Sequence, residues 1–345
     1  MPRRSSTRRR KKEHVDIVLK KDVGHRGKST GFDRYDFIHN ALPELSLDEV
    51  DTRSSFLHRS LDLPLMITGM TGGYPGAVKI NAGLAAVCQE KKIALGLGSQ
   101  RQMLEDRSQW NSFRVARKNA PDIPLIGNIG ATHVVDAEAA DRVKRLVEWI
   151  EADAIAIHLN ALQEAVQPEG TTDFRGVWRG IERIVRASPV PVIVKETGAG
   201  ISAAVAQRLI DAGVSIIDVS GAGGTSWSAV ESFRQNNRKS RLAARFRDWG
   251  IPTADCVTQL ARFREIFIIA SGGIRDGVDV AKALALGAAL AGMARPLLHA
   301  FSARGKKGLV EEIDAIAAEL RLVMFLTGCV SITELRKTPP VDHGR

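Results

Sequence analysis

Cysteine is scarce in this chain, and what there is does not cluster. Cys88, Cys256 and Cys329 are odd in number and far apart, with no CxxC and no neighbouring histidines. That excludes a disulfide framework and a zinc site, and it fits reduced thiols in a cytoplasmic protein. No apolar stretch approaches the roughly 20 residues that a membrane-spanning helix needs. The basic N-terminus is not followed by an apolar run, so a secretory signal is not expected. Acid is absent from residues 1–12, which carry Arg3, Arg4, Arg8, Arg9, Arg10, Lys11 and Lys12. Without those seven cations the net charge of +10 falls to +3. A tail of this kind reads as a solvated arm, disordered or resting on an anion. It has no interleaved aromatics to stack on bases, so nucleic-acid binding is the weaker reading.

What the chain does have is eight short apolar runs, each ending in glycine or a polar residue. They are LPLMITGM (Thr68), ALGLGS (Ser99), PLIGNIG (Asn128), AIAIHLN (Asn160), VPVIVKE (Lys195), SIIDVSG (Ser220), IFIIASGG (Ser271) and ALAGMA (Met293). Continuous apolar runs of about five residues suit strands buried on both faces, as in parallel sheets. Most intervals hold one amphipathic helix, the connection that parallel neighbours require. Eight such units predict an α/β fold, a (β/α)₈ barrel whose C-terminal strand ends converge on one site. A doubly wound open sheet is the alternative, but it would gather its chemistry at a switch point rather than at every strand end.

The organisation follows. Residues 1–14 are the basic arm, 15–60 an irregular cap, 61–335 the barrel and 336–345 a frayed tail. The interval between the sixth and seventh runs is unusually long and predicts an insertion, of the kind that often forms a lid. Residues 308–326 have helical period and predict the last helix.

SGGIRDG (271–277) and GMARP (292–296) follow the seventh and eighth runs, where barrels commonly hold phosphate. Glycines there let backbone amides approach an anion, beside a helix N-terminus; tight turns alone would also use glycine. Lys195 ends a strongly apolar strand and could form a Schiff base or set its charge against an anion. The ring of Thr68, Ser99, Asn128, Ser220 and Thr225 offers the neutral hydrogen bonds that a flat heterocycle such as a flavin requires. Glu164 is a hard carboxylate suited to Mg²⁺ shared with substrate phosphates; with Gln163 it could equally be a solvated helix start. Trp227 and Glu231 are four apart and can share a helix face, and Trp227 could simply pack.

In order along the chain, RKKEH, ITGMTGG, GLGSQR, GNIGA, IHLNALQEAVQPEG, VPVIVKETGAGIS, VSGAGGTSW and ASGGIRDGVDVAKALALGA resemble the motif series of type 2 isopentenyl diphosphate isomerases. The resemblance runs from about Arg10 to the Thr333 region. It implies a TIM-barrel enzyme that interconverts isopentenyl and dimethylallyl diphosphate with reduced FMN and Mg²⁺, NADPH being the usual reductant. It further implies a cytoplasmic homo-oligomer, a tetramer or octamer, with no nucleic-acid or membrane partner.

By matching position, the resemblance implies that flavin is held by Thr68, Gly69, Met70, Thr71, Ser99, Asn128, Lys195, Ser220 and Thr225. Its phosphate falls to Gly273, Ile274, Arg275, Ala294 and Arg295. The diphosphate substrate falls to Arg10, Lys11, Ser99, Gln100, Arg101 and Gln163, and the metal to Glu164. His158, Gln163, Trp227 and Glu231 match catalytic positions. Two departures are a longer basic arm and a C-terminus that stops shortly after Pro340. The runner-up is an FMN-dependent oxidoreductase of the 2-hydroxy-acid oxidase or IMP dehydrogenase kind. It wants a histidine near the seventh strand or a loop cysteine, and residues 263–275 contain neither.

Overall fold

The structure is a computed structural model that describes residues 2–234 and 237–344. The eight apolar runs are eight strands: β1 (Leu65–Ile67), β2 (Ala94–Gly96), β3 (Leu125–Gly130), β4 (Ala154–His158), β5 (Val192–Lys195), β6 (Ile216–Asp218), β7 (Phe267–Ser271) and β8 (Leu290–Met293). All pair in parallel with their sequence neighbours, and β8 returns to β1, so the barrel is closed. Alternation of side chains separates two cores. Met66, Ala94, Ile126, Ala154, Ala156, Ile193, Ile216, Ile269 and Leu290 pack inside the barrel. Their neighbours, such as Ile67, Leu95, Ile155 and Val194, pack outward against the helices.

The irregular cap contains a hairpin, Ser54–Phe56 with Arg59–Leu61. Its Phe56 and Leu61 join the interior cluster, and the Phe56 ring lies 5.0 Å from that of Phe267, at the start of β7. The N-terminal end of the barrel is thereby plugged with apolar side chains. Open volume is left for the other end.

Three expectations need correction. The arm is not a disordered tail: Pro2–Lys20 is a 19-residue helix. Val15 packs on Tyr74, Ala77 and Leu298, and Val18 on Val23, Ala229 and Val230, so two apolar residues three apart seat a helix whose other residues are mostly charged. The helix expected over 308–326 begins earlier than residue 308 and is not the last, since Ile332–Leu335 follows it. It runs Arg295–Thr327 with a kink at Arg304–Gly305, where Gly305 has φ 61°. The tail is not frayed throughout, because Val341–Asp342 pairs antiparallel with Tyr35–Asp36. The insertion is real: it carries helices Trp227–Ser232 and Arg238–Arg245 ahead of the expected Thr253–Leu260.

Candidate active site

A cavity of about 650 Å³ opens at the C-terminal mouth of the barrel. Every strand contributes to its wall through its last residues or the loop beyond. The arm helix crosses the mouth, so that Arg10, Lys11, His14, Val15 and Val18 line it from above. Of the residues singled out in the sequence, Thr68, Gly69, Met70, Thr71, Ser99, Asn128, Lys195, Ser220, Thr225, Gly273, Ile274, Arg275, Ala294 and Arg295 all line this one cavity. So do Arg101, His158, Gln163, Glu164 and Trp227.

Two others are placed differently. Gln100 is fully buried and turned away from the cavity. Its Nε2 donates to the Leu146 carbonyl at 3.0 Å and its Oε1 accepts from the Asn128 amide at 2.9 Å. It braces β3, and no substrate contact follows from this placement. Glu231 is also fully buried, but it stands directly behind the wall. Gln163 Nε2 donates to Glu231 Oε1 at 3.3 Å, and His14 Nε2 lies 2.9 Å from the same oxygen. Arg234 Nη1 donates to Oε2 at 2.8 Å. Burial alone would raise the Glu231 carboxyl, but the His14 hydrogen bond and the Arg234 charge outweigh it and hold it down at about 2. The His14 and Trp227 rings meet edge to face at 5.1 Å.

The cavity is electrostatically lopsided. Six basic side chains, Arg10, Lys11, Arg101, Lys195, Arg275 and Arg295, face a single carboxylate, Glu164, among the described lining residues. Apart from Lys195, they fall into two groups. Around the ends of β7 and β8, Gly272 and Gly273 have φ of 104° and 82°, and the amides of Gly273 and Ile274 donate to no described residue. The helix beginning at Arg295 has no side-chain cap, so its first amides are left open toward the same loops. Open amides, a helix N-terminus and Arg295 make a donor set that fits a phosphate monoester.

The second group is Arg10, Lys11 and Arg101. Lys11 Nζ donates to the Ser99 carbonyl at 2.5 Å. Burial lowers its ammonium to about 7, helped by the Arg10 and Arg101 charges and opposed by Glu105. Burial lowers Arg10 as well. Cations held below their ordinary strength mark a site that gains from a bound anion. Glu164 lines the same cavity, its carboxylate accepting from Asn160 Nδ2 at 3.1 Å and from the Thr171 amide at 2.6 Å. No cluster of three His, Cys, Asp or Glu side chains is present among the described residues. One carboxylate fits a hard cation held jointly with ligand phosphates, not an all-protein cage.

Between the two groups lies the ring of strand ends. Asn128 Nδ2 donates to the Leu97 carbonyl at 3.0 Å, and its Oδ1 lies 2.7 Å from His158 Nδ1. Because that oxygen accepts, Nδ1 carries the proton. Burial, with Lys195 and His133 nearby, lowers His158 to about 3, so the imidazole is neutral at pH 7. In register order, His158 pairs with Lys195 and Lys195 with Asp218. Asp218 was missed in the sequence, where it reads as one polar residue inside SIIDVSG. The available signal was period: Ile216 faces the barrel interior, so Asp218 shares that face.

Comparisons with known proteins show what the chain as a whole resembles. Residues 128–339 match the FMN-dependent dehydrogenase family. The chain is 46% identical to the isopentenyl-diphosphate delta-isomerase of Chlorobium limicola, with 95% of this chain and 94% of that protein covered. It is 46% identical to the enzyme of that name from Thermococcus onnurineus, covering 97% and 91%, and 43% identical to the one from Nostoc, covering 96% and 95%. Among solved structures, a lactate oxidase of Pediococcus acidilactici superposes with a TM-score of 0.69 at 19% identity, covering 98% and 94%. A flavocytochrome b2 variant with pyruvate bound gives 0.68 at 19%, covering 95% and 82%. At that identity the likeness is one of fold.

Proposed function

The chain belongs to the type 2, FMN-dependent isopentenyl-diphosphate delta-isomerases, and from that membership we propose that its cavity interconverts isopentenyl and dimethylallyl diphosphate using reduced FMN and Mg²⁺. The observation that carries this reading is the presence of two separate cationic, anion-fitting groups in one cavity. The glycine loops after β7 and β8, with Arg275 and Arg295, would hold the FMN phosphate. Thr68, Gly69, Met70, Thr71, Ser99, Asn128, Ser220 and Thr225 would meet the ring system, with Lys195 facing it. Arg10, Lys11, Ser99 and Arg101 would hold the substrate diphosphate, and Glu164 would share Mg²⁺ with it.

Moving the double bond requires a proton added at one carbon and removed from another, with no net redox change. Among the candidate residues, His158 is a weak base held neutral, and Gln163 does not titrate. Reduced FMN would supply the acid and base that these side chains lack. The protein's part is then positional. Gln163, tied to Glu231, would bind or relay a proton at the wall. His14 and Trp227 would narrow the mouth above the bound substrate. NADPH as reductant, a homo-oligomeric state and a cytoplasmic location complete the proposal. They are supported by the family resemblance, and no helix among the described residues is long and apolar enough to cross a membrane.

The test is direct. Purified protein should be yellow and should isomerise isopentenyl diphosphate only after the flavin is reduced. Colourless protein that turns over the substrate, or Lys195 trapped by borohydride as an adduct with a carbonyl compound, would end the flavin reading.

A further inference from the structure

Lys195 is the one cation on the inner face of the barrel's strands, and the cavity wall does not by itself explain why it points where it does. Its Nζ donates to the backbone carbonyl of Glu196 and lies 3.9 Å from Asp218 Oδ2. Asp218 is a carboxyl group at 1% exposure, at the end of β6; burial pushes its titration up, and the Lys195 charge and the Ser271 hydrogen bond oppose that. Its Oδ1 is spoken for: Ser271 Oγ donates to it at 2.5 Å and the Ser220 amide at 3.2 Å. Its Oδ2 has no hydrogen-bond partner among the described residues. A buried carboxylate oxygen without a donor is costly. Here that oxygen faces an ammonium one strand away in register.

The two donors to Oδ1 prevent the carboxylate from turning. Ser271 comes from β7 and Ser220 from the turn after β6, where φ is 38°, a value unusual for a residue with a side chain. Asp218 is therefore clamped on both sides with one oxygen presented to Lys195. His158, the register neighbour on the other side of Lys195, is held neutral by burial and offers the ammonium no counter-charge. Glu196 hydrogen-bonds Lys195 through its carbonyl; its carboxylate, whose Oε2 accepts from the amides of Thr197 and Ala199, adds a second negative group near the ammonium.

We propose that Asp218 is a positioning residue that fixes the Lys195 ammonium at the cavity floor and so sets how strongly the bound flavin favours its reduced, anionic form. The proposal rests on the flavin reading above. Asp218 does not line the cavity and touches neither flavin nor substrate; it acts through Lys195. Two effects of the carboxylate compete, and they have opposite signs. Its charge opposes a developing anion nearby, so removing it would make reduction easier. Its hold on Lys195 favours the anion, so removing it would make reduction harder. The clamped geometry makes the second effect the larger.

The experiment is a redox titration of FMN-loaded Asp218→Asn, which keeps an oxygen for Ser271 and Ser220 and replaces the charge facing Lys195 with an amide. The two-electron reduction equilibrium should fall at least about tenfold, which is about 30 mV, and the reduced flavin should remain in its neutral form to higher pH. Easier reduction would show that Asp218 acts only as an opposing charge. An unchanged equilibrium would leave it a former of the Ser220 turn. Either result overturns the proposal. In a Lys195→Met background the Asp218→Asn change should produce no further fall, and an equal fall in both backgrounds would also overturn it. Should Asp218→Asn fail to fold, Ser271→Ala keeps the carboxylate and removes one clamp; it should shift the equilibrium in the same direction by less, and no shift overturns the proposal. Wild-type protein that takes up no FMN would sink the flavin reading itself, whereas defects confined to these comparisons concern Asp218 alone.

Discussion

His14 Nε2 lies 2.9 Å from Glu231 Oε1, and this contact joins the arm helix to the insertion helix at the cavity mouth. Neither segment belongs to the barrel repeat, and neither has another chemical reason to place a polar residue in an apolar seam. The same carboxylate anchors Gln163 from inside the wall and Arg234 from outside. The docking of the arm on the insertion, an oriented glutamine and a buried guanidinium thus depend on one side chain.

Glu231→Gln should therefore cost stability as well as activity. Arg234, whose side chain is 6% exposed, would keep Glu169 at 2.9 Å but lose its buried partner. Breaking such a pair costs roughly 3–5 kcal/mol, and the surviving Glu169 contact places the expectation near 3. Urea unfolding measures it. A loss within 0.5 kcal/mol would mean that the network is incidental to folding.

Lys11 carries a prediction about pH. Its ammonium is held at about 7 by burial, so a large fraction of the free protein has it neutral at pH 8. A diphosphate beside it favours the charged form, and binding then takes up a proton above pH 7. KM for isopentenyl diphosphate should rise as pH passes 7, and Lys11→Ala should show a higher KM with this rise abolished. Parallel KM–pH curves for the two proteins would rule the lysine out as a diphosphate contact.

Acid stability follows from two histidines. Burial lowers His158 to about 3 and, with Arg101 and Arg142, His133 to about 4. Each takes its proton near 6.5 when unfolded. The unfolded chain therefore binds more protons between these values, and stability present above pH 6.5 is lost as pH falls toward 4. Tm measured from pH 7 to 4 should drop more steeply in the wild type than in His158→Gln. Identical slopes would show that His158 titrates normally in the folded protein.

The barrel was readable because its strands are buried on both faces, so each one is an uninterrupted apolar word such as IFIIAS. Most of the site was readable for the same reason, since its residues follow those words directly. The arm helix was not. Its fold depends on Val15 and Val18 meeting side chains of the barrel and insertion, a tertiary contact with no counterpart in local periodicity. Gln100 misled because it lies between two cavity residues, Ser99 and Arg101, yet its side chain points into the core to hold Asn128. Asp218 was hidden by its apolar neighbours, although the two-residue strand period marks its face.

Glu164 is where charge alone should decide the outcome. It is the single carboxylate among the described residues lining the cavity, which it shares with three cations that can take a diphosphate. Asn160 and the Thr171 amide already hold the carboxylate in place, so a cation arriving with the substrate meets a fixed ligand. Glu164→Gln preserves the shape and much of the hydrogen bonding while removing the charge. The Mg²⁺ concentration for half-maximal activity should rise at least about tenfold, which corresponds to about 1.4 kcal/mol. FMN content should stay the same, since the phosphate loops after β7 and β8 lie on other strands. If the Mg²⁺ dependence is unchanged, the carboxylate serves only to seat the turn at Thr171, and the metal must be held by the diphosphate without it. A fall in FMN content along with activity would instead point to a disturbed cavity, which the Glu164→Asp variant would separate by restoring the charge at a shorter reach.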